Sequence, residues 1–179
     1  IEINFKKKGK GHPLLMLHGN GEDLHIFDEL SEALKEHFTI YSLDSRNHGK
    51  SSKTEDYAYE IMAFDVLKFM GKLRIEQPYI LGFSDGGIVA LLLSIAFPDL
   101  IPKMVIAGAN LSPKGFRPRV HQALLKHYEQ TKDPLYQMML TQPNIRHQDL
   151  HRITSDTLIL AGEHDMIQKR HTTSIHHHI

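Results

Sequence analysis

The sequence predicts an α/β fold, a mostly parallel, doubly wound sheet flanked by helices. Three observations predict it. Short, nearly continuous apolar runs recur along the 179 residues, as strands buried on both faces require. Amphipathic or apolar helical runs separate them, the alternation that right-handed crossovers produce. Several of the apolar runs end in short glycine-rich or polar segments, and in such sheets ligand chemistry gathers at the carboxyl ends of the strands.

Length and composition bound the alternatives. The chain is the size of one domain with a sizeable core, so residues 1–179 are expected to form a single unit. Lys+Arg and Asp+Glu are balanced at 21 each, and only Lys6-Lys7-Lys8 with Lys10 forms a basic run, so nucleic acid is not an expected partner. No cysteine is present, which excludes disulfide and thiol chemistry and is compatible with a reducing cytosol; the cytoplasm is the expected compartment. No apolar run approaches membrane-spanning length, so no membrane association is expected. Oligomeric state is left open.

In chain order, Ile1–Phe5 alternates apolar and polar residues as an edge strand, and Lys8-Gly9-Lys10-Gly11 is a turn. Pro13–Leu17 is a buried strand running into His18-Gly19-Asn20-Gly21. An amphipathic helix over 24–37 would place Ile26, Phe27, Leu30 and Leu34 on one face. Phe38–Leu43 is a strand ending at Asp44-Ser45-Arg46-Asn47-His48-Gly49-Lys50-Ser51, and a helix follows over 57–73. Pro78–Phe83 is a strand that stops at Ser84-Asp85-Gly86-Gly87, and the apolar helix over 86–97 begins at once. Lys103–Ala109 is another strand. The rhythm breaks over 111–152, a polar, His/Gln/Lys-rich stretch with helical patches at 120–128 and 134–140, which reads as a short helical cap insertion. Thr157–Ala161 is a late strand capped by Gly162-Glu163-His164-Asp165, and 167–178 a last helix.

The central motif is Gly82-Phe83-Ser84-Asp85-Gly86, G-x-S-x-G between a strand and a helix. The turn strains the serine backbone, and flanking glycines tolerate the close approach of strand and helix. It lifts the serine hydroxyl clear of the sheet at the positive end of the next helix. With H-G-x-G after the early strand, D-x-R-x-H-G-x-S after the next and G-E-x-D after the late one, the chain resembles the α/β-hydrolase superfamily, in particular its small serine esterase/lipase-like members. The resemblance covers nearly the whole chain.

That resemblance implies the site. Ser84 is the expected nucleophile, Asp165 the acid that orients the catalytic histidine, and the backbone N–H groups of Asn20 and Asp85 the oxyanion hole. Asp165 could instead cap the helix that follows it. The Asp85 side chain could recognise a cationic group on the substrate or cap the elbow helix. Asp44 and Arg46 are expected to be structural, and His48 not catalytic. The family's histidine lies beyond the acid and its helix; His171, His176, His177 and His178 fall on that helix and should be carried away from Ser84. The final strand, the histidine loop and the last helix are therefore expected to be missing from this sequence. His147 and His151 could share a helix face, but the zincin glutamate is absent between them, and no metal or cofactor is expected.

The expected function is hydrolysis of a small carboxylic ester or related acyl compound through an acyl-enzyme intermediate. Thioester and carbon–carbon bond hydrolysis share the same machinery and stay open, as does a non-catalytic binder of small ligands on the same fold.

Overall fold

The computed structural model describes residues 1–179. Strands Phe5–Lys8 (β1), His12–Leu17 (β2), Phe38–Leu43 (β3), Tyr79–Phe83 (β4), Lys103–Ala107 (β5) and Asp156–Leu160 (β6) form one sheet in the order β1-β3-β2-β4-β5-β6. All neighbours are parallel except β1, which runs antiparallel to β3. The helices are Asp28–Leu34 (α1), Tyr59–Leu73 (α2), Asp85–Ala96 (α3), Pro118–Thr131 (α4), Pro134–Thr141 (α5), His147–Leu150 (α6) and Lys169–His178 (α7). None is long and apolar enough to cross a membrane.

The strand order positions the site. From β2 the chain moves outward to β3, then returns past β2 to lay down β4 on its other side. The carboxyl ends of β2 and β4 therefore flank the point where the winding reverses, and a crevice opens there because the two connections leave in opposite directions. His18-Gly19-Asn20 leaves β2 at this point, and Ser84 leaves β4.

Burial follows the sequence pattern. Leu14, Leu15, Met16 and Leu17 of β2 are all buried, as a central parallel strand covered on both faces demands. Helix α3 buries Ile88, Val89, Ala90, Leu91 and Leu93 together with both of its glycines, so it is sequestered nearly all round. It packs on α2 and against β4 and β5, within a core that also takes in Leu17, Tyr59, Met62, Val66, Ile80 and Ile106. Each fully buried aliphatic side chain contributes about 1.5–3 kcal/mol relative to exposure.

Three elements differ from the sequence expectation. The edge strand is Phe5–Lys8, not Ile1–Phe5, because Phe5 pairs with Leu43 and the lysine run lies along the ladder with its amines in solvent. The helix over 24–37 is broken into a 3-10 turn, Leu24–Phe27, and α1; Asp23 caps the turn by accepting the His25 N–H. The tighter turn rotates the inward face, so Leu24 and Phe27 are buried while Ile26 and Leu30 are exposed. The last helix begins at Lys169 rather than at Ile167.

Between β5 and β6 the chain forms α4, α5 and α6. Gln142, after α5, ties this region to the start of α2: its Oε1 accepts the Tyr59 N–H at 3.2 Å and its Nε2 donates to the Tyr57 carbonyl at 3.1 Å. Helix α6 packs against α3 and α7.

Candidate active site

The turn between β4 and α3 has the geometry its sequence implies. Ser84 sits at φ 51° and ψ −113°, a conformation that L residues rarely adopt. Its N–H donates to the Ala107 carbonyl at 2.7 Å, and its carbonyl accepts from Gly87 and Ile88, so strand end and helix start hold the strained residue from both sides. A Cβ at Gly82 would overlap the Gly86 carbonyl, and one at Gly86 would overlap the carbonyl of Leu17 on β2. The glycines are thus required by close approach of main chains.

The turn after β2 closes on the same place. A Cβ at Gly19 would lie 2.9 Å from the Cβ of Ser84, which puts His18-Gly19-Asn20 against the nucleophile. The His18 carbonyl accepts the Gly86 N–H at 3.1 Å, joining the two turns directly. The His18 side chain is buried and locked: Nδ1 donates to the Gly19 carbonyl at 2.7 Å, and Nε2 accepts the Ser45 N–H at 3.0 Å. Both nitrogens are used as a neutral ring would use them, and burial pushes the His18 pKa down from its ordinary value. The Gly19 N–H is taken by Glu22 Oε2 at 2.9 Å. The N–H groups of Asn20 and Asp85 donate to no main-chain carbonyl and no side chain, one in the turn packed against Ser84 and one in the residue that follows it.

The Asp85 side chain is only 2% exposed. Its Oδ1 accepts the Tyr59 hydroxyl at 2.8 Å and its Oδ2 accepts Asn20 Nδ2 at 3.1 Å. Burial pushes this carboxyl up to about 6, against the lowering effect of the two hydrogen bonds. Tyr59, itself buried and pushed well above its usual range by desolvation and the neighbouring carboxylate, has no counterpart in the sequence analysis. Nothing local marks it, since its partner is remote in sequence and the residue looks like an ordinary helix start.

The loop after β3 is structural. Asp44 accepts the N–H groups of Leu24 and Lys50 and the Asn4 amide, which binds three segments to one carboxylate. Burial acts to raise its pKa, yet the three donors together hold it below the usual carboxylate range. Arg46 makes a two-pronged pair with Asp65 of α2 at 2.6 and 2.8 Å. His48 is buried with its ring edge-on to His18, and its Nδ1 bonds the Arg46 carbonyl. Asn47 adopts φ 65°, a left-handed conformation that asparagine tolerates.

Asp165 lies at the carboxyl end of β6 on the side of the nucleophile. Its carboxylate oxygens are 3.5 and 3.9 Å from where a Gly108 Cβ would be, a point also in contact with the Phe83 ring. Oδ1 accepts the Ile167 N–H and Oδ2 the Gly162 N–H, which fixes the loop. It is not the cap of α7; Gln168 occupies that position.

The late histidines turn elsewhere. His171 Nε2 accepts the Leu111 N–H at 2.8 Å. His178 donates to the Ser174 carbonyl and stacks on His147 of α6, with ring centroids 4.4 Å apart. His176 packs against His177. None of these contacts reaches Ser84.

Known proteins share this fold. A profile of the alpha/beta hydrolase fold family matches residues 12–136. Serine hydrolase BPHL of Homo sapiens is 27% identical over 211 aligned positions, covering 100% of this chain and 72% of that protein. The sn-1-specific diacylglycerol lipase ABHD11 of Danio rerio is 28% identical over 132 residues, covering 73% of this chain but 41% of that protein. The match thus covers about two fifths of that fish relative's length. Among solved structures, the esterase EaEST of Exiguobacterium antarcticum superposes with a TM-score of 0.84 at 23% identity, over 99% of this chain and 83% of that one. With that profile spanning more than half of its length, and a strained serine at the strand–helix turn of a sheet with this winding, the chain belongs to the α/β-hydrolase family.

Proposed function

We propose that this chain carries the nucleophile, oxyanion and acid parts of a serine hydrolase acting on a small carboxylic ester or related acyl compound. The observation that carries the proposal is Ser84 held at φ 51° beside two unpaired backbone N–H groups, those of Asn20 and Asp85. In this reading Ser84 Oγ attacks the substrate carbonyl carbon, and the oxygen gaining negative charge is received by those two donors. The leaving group departs to give an acyl-serine, and water releases the acid. Asp165 is the acid that orients a histidine, since its carboxylate is fixed on the nucleophile's side of the strand ends. The names of the relatives, serine hydrolase and lipase, support acyl chemistry in general.

The proton acceptor is not assigned to any of His171, His176, His177 or His178, whose contacts lie on α6, α7 and the segment after β5. A second reading is a non-catalytic binder that holds small ligands at the same strand ends. One experiment separates the two. A p-nitrophenyl phosphonate ester is incubated with the chain, and the adduct is located by peptide mass. With imidazole added as the proton acceptor, modification of Ser84, absent in Ser84→Ala, is the expected result; a folded chain that stays unmodified even then supports the binder.

A further inference from the structure

Asp85 follows the nucleophile directly, and the proposed chemistry uses only its peptide N–H. Its carboxylate is buried and bound on both oxygens, by Tyr59 Oη at 2.8 Å and Asn20 Nδ2 at 3.1 Å. The residue bearing one oxyanion donor therefore grips, through its side chain, the residue bearing the other. Elsewhere the turn after β2 is tied at the His18 carbonyl, at the Gly19 N–H, and at the Gly19 carbonyl, which accepts His18 Nδ1 at 2.7 Å and the Glu22 N–H at 3.3 Å. Beyond Gly19, the amide contact with Asp85 is the bond that the Asn20 side chain makes. Asn20 is half-exposed and precedes Gly21 at φ 72°, where the chain turns away from the sheet. The peptide plane that carries the Asn20 N–H is thus held from its Gly19 side by His18 and Glu22, and the Asp85 contact fastens it from the Asn20 side. Tyr59 fixes the carboxylate in turn: it is anchored at the first turn of α2, with its ring in the core.

We propose that Asp85 is a positioning residue, which through its bonds to Asn20 and Tyr59 holds the Asn20 N–H at the oxyanion site. The proposal rests on the serine-hydrolase reading of Ser84. It differs from direct recognition of a cationic substrate group, which would need a carboxylate oxygen turned to the ligand instead of to Asn20 and Tyr59. The geometry also implies a pH signature. Protonating the carboxyl weakens the charge-assisted bond from the Asn20 amide, so the donor loosens on the acid side of Asp85's titration.

The test uses the full chain and two p-nitrophenyl phosphonate esters, one a neutral alkyl compound and one with an amino group. The rate of p-nitrophenolate release and the adduct mass at Ser84 are followed across pH. Asn20→Ala removes the side-chain bond and keeps the peptide N–H; Tyr59→Phe removes the other donor, and Asp85→Asn removes the charge and one of the two acceptors. Each is expected to slow the maximal phosphonylation rate roughly 10-fold or more with both probes, somewhat less than the ~10²–10³ that outright loss of an oxyanion donor costs. The half-saturating probe concentration should stay within about twofold, since the donor acts on the developing charge rather than on ground-state binding. The wild-type acid-side fall in rate should move to higher pH in Tyr59→Phe, which loses a donor to the carboxylate, and vanish in Asp85→Asn. Wild-type rates in Asn20→Ala and Asp85→Asn, or losses confined to the amino probe, would overturn the positioning role while leaving the nucleophile intact. A folded wild-type chain that neither probe labels, even with imidazole added as the proton acceptor, overturns the nucleophile reading itself, and the positioning role with it. If Asp85→Asn fails to fold, Asn20→Ala on a half-exposed turn decides alone.

Discussion

At the scale of single residues, the site is built from strain and burial that the fold has to offset. Ser84 holds a backbone conformation that costs about 1–3 kcal/mol, and glycine would carry no such penalty there. Ser84→Gly is therefore expected to raise stability by roughly 1 kcal/mol after the added chain entropy of glycine is subtracted. In a scanning melt this is a rise in Tm of about 2–4 °C for a chain of this size, with loss of phosphonate labelling. An unchanged or lower Tm would show that the elbow is not strained. Asp85 gives the opposite kind of entry, a buried carboxyl raised to about 6 by desolvation. Its folded-state pKa lies above the ordinary 3.8, so the native state binds more protons than the unfolded state between about pH 4 and 6. Stability from this group is present below pH 4 and is lost as pH rises through 6, by roughly 3 kcal/mol at one unit per 1.36 kcal/mol. Asp44 contributes with the reverse sign, because its pKa is lowered. The clean measurement is thus the difference between wild type and Asp85→Asn in urea unfolding at pH 4.5 and 7.5. The variant should gain on the wild type as pH rises, and a flat difference would mean that Asp85 titrates normally.

At the scale of elements, β6 is an exposed edge of the sheet, with apolar side chains on it. It pairs only with β5, and Leu158 on it is 55% exposed, with Leu81 and Val105 lining the same apolar groove. An unpaired strand edge beside exposed leucines is a template for self-association. Leu158→Lys is expected to lower concentration-dependent light scattering while changing unfolding free energy by no more than about 0.5 kcal/mol, as for an exposed position; unchanged scattering would dismiss the edge as the cause. The elements also show what the sequence could and could not reveal. Strands β2 to β6 and helices α2 and α3 were legible because their apolar runs are continuous or strictly periodic, and so was the strained turn, whose glycines are needed for close approach at Gly82 and Gly86. The break between Phe27 and Asp28 was not legible, because the same residues read as one helix until the Asp23 cap tightens the first turn. Tyr59 was invisible for a different reason. Its contact with the site is a hydroxyl meeting Asp85 across the α2–α3 contact, a tertiary event without a local pattern.

At the scale of the whole molecule, the strand ends form a site because loops on separate strands are fastened to one another and to α2. The Arg46–Asp65 pair is the strongest such fastening: the two side chains are 6% and 10% exposed, and the guanidinium meets the carboxylate with two nitrogens at 2.6 and 2.8 Å. It joins the loop after β3 to the middle of α2, the helix whose first turn carries Tyr59. Taking two charges out of water is expensive, so the pair as a whole adds little net stability over apolar residues of similar size. Removing one partner is another matter. Asp65→Asn leaves a buried guanidinium without its counter-charge, with Asp56 3.5 Å from another nitrogen and largely in solvent as the remaining anion. A loss of about 3–5 kcal/mol is expected, against roughly zero for the double replacement Arg46→Met with Asp65→Leu. Urea unfolding of the two variants and the wild type checks this in one series. The same series bears on the site, since loosening the β3 loop frees Ser45, whose N–H orients His18. Asp65→Asn should therefore slow Ser84 phosphonylation under conditions where the variant is still folded, and the double variant should restore the rate. Equal unfolding curves for wild type and Asp65→Asn would mean that the loop is held by Asp44 and its three donors alone.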